Sequence, residues 1–97
     1  MTDIVISRRA RDDFKRIWRY IALDNESVAD RLLLAIDAKI ERLREFPELG
    51  ATRPEIAAGA RVLIHGTYLI LYEFERAKDT VQIISIVEGM RDLDNIF

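Results

Sequence analysis

The chain has 97 residues, 49% of them hydrophobic and 33% charged, with a net charge of −2 and no cysteine. That length makes one domain, 1–97, and the composition excludes a disordered chain, disulfides and thiolate-ligated metal. The net charge gives no general attraction to nucleic acid or acidic membranes, so any nucleic-acid contact has to come from a local patch.

The N-terminus, MTDIVISRRA, has no signal-peptide apolar region, and no apolar run reaches the ~18 residues of a membrane span. A cytoplasmic protein with no membrane contact is expected. The first element is a short strand, Asp3 to Ile6, with Ser7 placed to cap a helix. From Arg8, apolar residues recur at Ala10, Phe14, Ile17, Trp18 and Ile21, which draws one face of an α-helix. Arg8, Lys15 and Arg19 lie opposite with Asp12 among them, a solvated face or a docking surface for an acidic partner.

Asp24 to Ser27 breaks that helix and starts another, with Ser27 read as the cap and Asp30 at the N3 position. Val28, Leu32, Ala35, Ile36, Ile40 and Leu43 form its main apolar face, and it ends near Phe46-Pro47. The two helices form an antiparallel hairpin. Leu34 and Ala38 sit one turn apart outside the main face, suited to a partner's footprint.

Residues 47–60 carry both prolines and form the long connection. Three strand candidates follow, 61–65, 68–74 and 81–87, the first two joined by a tight turn at Gly66-Thr67. The order β-α-α-β-β-β predicts an α+β fold, an antiparallel sheet with the helical hairpin packed on one face. The strand YLILYEF places Tyr68, Ile70, Tyr72 and Phe74 on one side and Leu69 and Leu71 on the other, and 81–87 is likewise apolar on both sides. The helices cover one face. The other calls for a partner, or else for the 47–60 connection folded back across it.

Candidates for chemistry are sparse. His65 is the only histidine, no residues have metal-ligand spacing, no glycine-rich loop precedes a helix, and no cofactor is implied. Arg61, His65, Tyr68, Tyr72, Glu88 and Arg91 fall on or beside the sheet. Metal-free RNA cleavage needs a base, an acid and cations for the phosphate. Those residue types can fill the roles in principle, but packed tyrosines and ion pairs among Arg61, Glu88 and Arg91 account for them better, and no catalytic residue is assigned.

YIALDN (20–25), LREFPELGATRPE (43–55), the run from Arg61 to Tyr72 and the terminal EGMRDLDNIF resemble, in order and spacing, the ParE branch of the RelE/ParE toxin superfamily of type II toxin–antitoxin systems. The resemblance spans essentially the whole chain. It implies a toxin that inhibits DNA gyrase and halts growth, neutralised by a ParD-like antitoxin whose C-terminal segment fills an apolar groove. It implies no sequence-specific nucleic-acid binding by the toxin alone. Many members read His-Gly-x-Arg-Asp near the end; here Gly89, Arg91 and Asp92 match and Glu88 holds the histidine position. The related ribonuclease branch uses a histidine or tyrosine near the C-terminus, which EGMRDLDNIF does not supply. Antitoxin contact is therefore expected at Leu34, Ala38, Leu69 and Leu71, and target contact at Arg61, Glu88, Arg91 and Phe97. The alternatives are a ribosome-dependent endoribonuclease using His65, Tyr68, Tyr72 or Glu88, and a non-toxic antitoxin-binding module.

Overall fold

The computed structural model describes residues 1–89. Strand β1 (Asp3–Ile6) leads into helices α1 (Arg8–Ala22) and α2 (Glu26–Glu41), followed by strands β2 (Ala51–Thr52), β3 (Ala60–His65), β4 (Tyr68–Glu75) and β5 (Thr80–Glu88). The strands make one sheet in the order β1-β5-β4-β3-β2. The last three long strands form the expected antiparallel meander, and β1 pairs parallel to β5, so the sheet is mixed. Gly66, at φ 60°, opens the two-residue turn between His65 and Tyr68, where a side chain would be strained.

Ser7 caps α1 as its position suggests, accepting a hydrogen bond from the Ala10 N–H at 3.0 Å. The second helix begins two residues earlier than a cap at Ser27 allows. Asn25 is its cap, accepting from the Val28 N–H. Asp30 is then free of any capping role and accepts instead from Trp18 Nε1 at 2.8 Å, which locks the two helices side by side.

The main core lies between the helices and the sheet. Ala10, Ile17, Ile36, Ile40 and Leu43 meet Leu63, Ile70, Tyr72, Val81, Ile83 and Ile86 there, with Tyr68 and Phe74 packed against them. The alternation expected for β4 holds. In β5 it changes phase: Leu71 faces Ser85 while Tyr72 faces Ile83, so Ile84 is an extra residue, a β-bulge. The bulge returns both Ile83 and Ile86 to the helix side and leaves Ile84 on the other, which strict alternation along the strand could not do.

Helix α1 supplies the hydrogen bonds that this bulge takes from the ladder. The Ser7 hydroxyl donates to the Ile84 carbonyl at 2.7 Å, and the Asp13 carboxylate accepts from the Ile86 N–H at 2.9 Å and the Ser85 hydroxyl at 2.7 Å. Asp13 is only 5% exposed, and Arg16 Nη1 donates to its other oxygen at 2.8 Å. A buried carboxylate is tolerable when its lone pairs are matched in this way.

A second, smaller core lies on the far face: Ala60, Val62, Leu69, Leu71 and Val87, with Ile56, Ala57 and Ile84 packed against them. The expectation of an open apolar face is corrected here. Two tight turns, with the Ile56 N–H donating to the Arg53 carbonyl and the Ala60 N–H to the Ala57 carbonyl, fold the connection back so that Ile56 and Ala57 lie against the sheet.

Candidate functional site

Two of the polar residues predicted on the sheet, Tyr72 and Arg61, meet at one corner, where the connection leaves α2 and enters β2. Tyr72 is fully buried, and its hydroxyl accepts from the Gly50 N–H at 2.7 Å and donates to the Pro47 carbonyl at 3.0 Å. Burial pushes the phenol above its ordinary pKa; the Gly50 N–H and Arg61 oppose the rise and Glu48 adds to it. Gly50 is required by this approach, since a Cβ there would stand 2.6 Å from the Tyr72 ring and 2.9 Å from the Val62 carbonyl oxygen.

Arg61 braces the same turn from β3. Its Nη1 donates to the Glu48 and Gly50 carbonyls at 3.0 and 2.8 Å. The Glu48 carboxylate lies between Arg61, at 3.5 Å, and Arg76, at 2.6 Å, and the Arg76 guanidinium also sits over the Phe74 ring. Beside this corner is a cleft of about 290 Å³ lined by Thr52, Pro54, Ala60, Arg61, Phe74 and Arg76. Its polar groups hold one another, and the bonds of Tyr72 and Arg61 are those of a brace.

The remaining candidates are dispersed. His65 lies opposite Tyr68 at the β3–β4 turn, and Tyr68 opposite Glu88, while Ser85 lies opposite Leu71 and is already spent on Asp13. Burial, with Glu88 and then Tyr20, pushes the Tyr68 phenol up, so it stays protonated at neutral pH. Among the described residues the geometry assembles no base and acid around a common substrate position, and no group of three or more His, Asp or Glu side chains could hold a metal ion. Glu88 is exposed at the end of β5. Arg91 and Phe97 lie outside the described residues, as do Leu93 and Ile96 of the expected terminal anchor.

The four residues expected to meet an antitoxin divide into two pairs. Leu34 is 70% exposed and Ala38 is exposed one turn further along α2. Leu69 and Leu71 are 4% and 0% exposed, already enclosed by the second core, so they offer no open surface. Sequence reasoning missed Ile64, which is 59% exposed at the edge of β3. Strand β2 pairs with β3 only at Arg61 and Val62, so among the described residues the edge from Leu63 onward has no strand beside it, and Lys39 of α2 donates to the Ile64 carbonyl. A groove of about 310 Å³ runs there between Lys39, Leu49 and Ile64. The shortness of β2 left no sequence signal for it.

A two-helix hairpin packed on a five-stranded mixed sheet is the α+β architecture of the RelE/ParE toxins. The chain belongs to the family described as the ParE toxin of the type II toxin–antitoxin system parDE, whose model matches residues 4–93. It is accordingly the toxin component of such a system. Solved structures agree on the fold. A chain of the chromosomal ParDE system from P. aeruginosa is similar at 22% identity and a TM-score of 0.77, with 93% of this chain and 98% of that one covered. A chain of the RelBE2 toxin–antitoxin complex from Mycobacterium tuberculosis is 23% identical at a TM-score of 0.69, covering 90% and 96%. The isolated E. coli RelE toxin is 15% identical at a TM-score of 0.64, with both chains fully covered. No curated protein matches the sequence. Among the described residues no helix is long and apolar enough to cross a membrane.

Proposed function

We propose that this toxin arrests growth by binding DNA gyrase, and that a ParD-like antitoxin neutralises it by docking on the outer face of α2. The observation that carries the reading is the family match over residues 4–93, because inhibition of gyrase characterises the ParE branch. The bonds of Tyr72 and Arg61 favour action by binding over bond-making. Both tie the 47–50 turn to the sheet and neither is poised for proton transfer. Antitoxin partners are known from the ParDE and RelBE assemblies that this chain resembles in fold. On this chain the antitoxin footprint centres on Leu34 and Ala38, with Ile64 along the neighbouring groove, while Leu69 and Leu71 shape β4 from beneath. Target contact is assigned to Glu88, Arg91 and Phe97 and to Arg61, which also holds the 47–50 turn. The toxin acts in the cytoplasm, where gyrase is.

The test is a supercoiling and DNA-cleavage assay with purified gyrase and ATP, with and without antitoxin. Inhibition or trapped cleavage that antitoxin reverses is the expected result. Folded, antitoxin-free protein that leaves gyrase untouched and instead cuts mRNA on ribosomes would replace this reading with the ribonuclease one.

A further inference from the structure

Charge is divided unevenly in this molecule. Helix α1 carries six basic and two acidic side chains, so the remaining 82 residues hold nine basic and fifteen acidic ones. One of the two acids, Asp13, is turned into the core. Arg8, Arg11, Lys15 and Arg19 recur every three or four residues and are all exposed, which places them along the outward side of the helix. No carboxylate among the described residues forms an ion pair with any of these four, and Asp12 is the one acid on their side.

The arrangement opposes the helix's own electrostatics. The first turn of α1 has arginines and no acidic side chain, although the positive end of the helix dipole favours acids there. Arg11 Nε donates to the Ile6 carbonyl at 3.3 Å, a contact with backbone that leaves its charge unneutralised. From Arg8 to Arg19 the ridge is about 16 Å long, and a duplex strand presents a phosphate about every 3.4 Å of its axis. Several phosphates therefore lie within reach of one ridge.

We propose that the outer face of α1 is an electrostatic docking ridge for the phosphate backbone of duplex DNA, bound without regard to sequence. A protein partner is disfavoured because a stable protein interface needs apolar anchors at its centre, and between Arg8 and Arg19 this side of the helix offers none. Single strands are held by stacking aromatic side chains, which the ridge also lacks. A convex helix suits the wide major groove of B-form DNA and not the deep, narrow one of duplex RNA. The inference goes beyond the toxin reading and does not depend on it, since the binding assay contains neither gyrase nor antitoxin.

The test measures fluorescence anisotropy of a labelled mixed-sequence DNA duplex with the full chain across a salt series. The wild type binds weakly at low salt, with a log–log salt slope of about −3, as expected for three or four neutralised phosphates. The triple variant Arg8→Gln/Lys15→Gln/Arg19→Gln loses at least tenfold in affinity and most of that slope. Arg31→Gln/Arg42→Gln/Lys78→Gln, with the same change in net charge away from α1, stays within about twofold. Thermal melts keep the comparison sound, because the gain from removing Arg8 at the positive end of the helix dipole offsets the loss from removing Arg19 at its negative end. No binding by the wild type, equal loss in both triple variants, or tighter binding to polyglutamate or duplex RNA than to DNA would each overturn the proposal.

Discussion

Replacing Tyr72 by phenylalanine removes one oxygen and leaves two backbone groups, the Gly50 N–H and the Pro47 carbonyl, without their partner. Gly50 is buried, so its donor cannot turn to water, and the expected loss is about 2 kcal/mol, or roughly 10 °C in Tm for a domain of this size. Gly50→Ala should cost a similar amount by the opposite route, because its Cβ would collide with the Tyr72 ring and the Val62 backbone. Thermal melts of the two variants check both numbers. The phenol adds a pH signature. Its folded pKa is raised by burial, so the neutral form stabilises the fold fully below the unfolded value of about 10. That stability is lost as pH rises through the folded value, and the Tm of Tyr72→Phe should fall less steeply than wild type above about pH 10. An identical alkaline slope in the variant would mean that another group controls it.

At the scale of elements, α1 and the β5 bulge depend on each other. The bulge takes the Ile84 carbonyl and the Ile86 N–H out of the ladder, and Ser7 and Asp13 answer them. Asp13→Ala leaves the Ser85 hydroxyl and the Ile86 N–H unmatched in the core, for an expected loss of about 3 kcal/mol. Arg16→Gln should cost well under 1 kcal/mol, because the arginine side chain is 63% exposed and its ion pair is screened. Chemical denaturation of the two variants gives the comparison, and near-equal losses would contradict this division. This joint also marks where the sequence stops being readable. The helices and long strands were legible because apolar residues at periods of 3.6 and 2 report burial directly. The phase change at Ile84 was not, since a bulge depends on tertiary partners. Asp13 did leave a trace: it sits three residues after Ala10 and four before Ile17, on the core face. The cover over Leu69 and Leu71 was legible only as one of two alternatives, because the two turns in residues 53–60 bring Ile56 and Ala57 home only once the sheet exists. Leu34 and Ala38 were legible as outward residues because helix geometry alone puts them off the main apolar face.

For the whole molecule, the two helices that bury one side of the sheet turn different surfaces outward. Helix α1 offers cations from Arg8 to Arg19, with exposed Tyr20 and Leu23 only at its end; α2 offers Leu34 and Ala38, and the nearby edge of β3 offers Ile64. A single exposed leucine means little. A leucine 70% exposed beside an exposed alanine, with a groove and an unpaired strand edge close by, suits the apolar centre of a protein interface. Leu34→Glu/Ala38→Glu tests this assignment without disturbing the fold, because both side chains face solvent and surface changes of this kind stay within about 0.5 kcal/mol. In a complex, the same carboxylates would be buried against apolar side chains, at a cost of several kcal/mol. Calorimetric titration with purified antitoxin should show affinity falling at least a hundredfold. Tm and gyrase inhibition should stay at wild-type values, and antitoxin should no longer reverse that inhibition. Undiminished affinity would move the antitoxin to another face. Loss of gyrase inhibition together with antitoxin binding would mean that toxin target and antitoxin share α2, and that the antitoxin neutralises by direct occlusion.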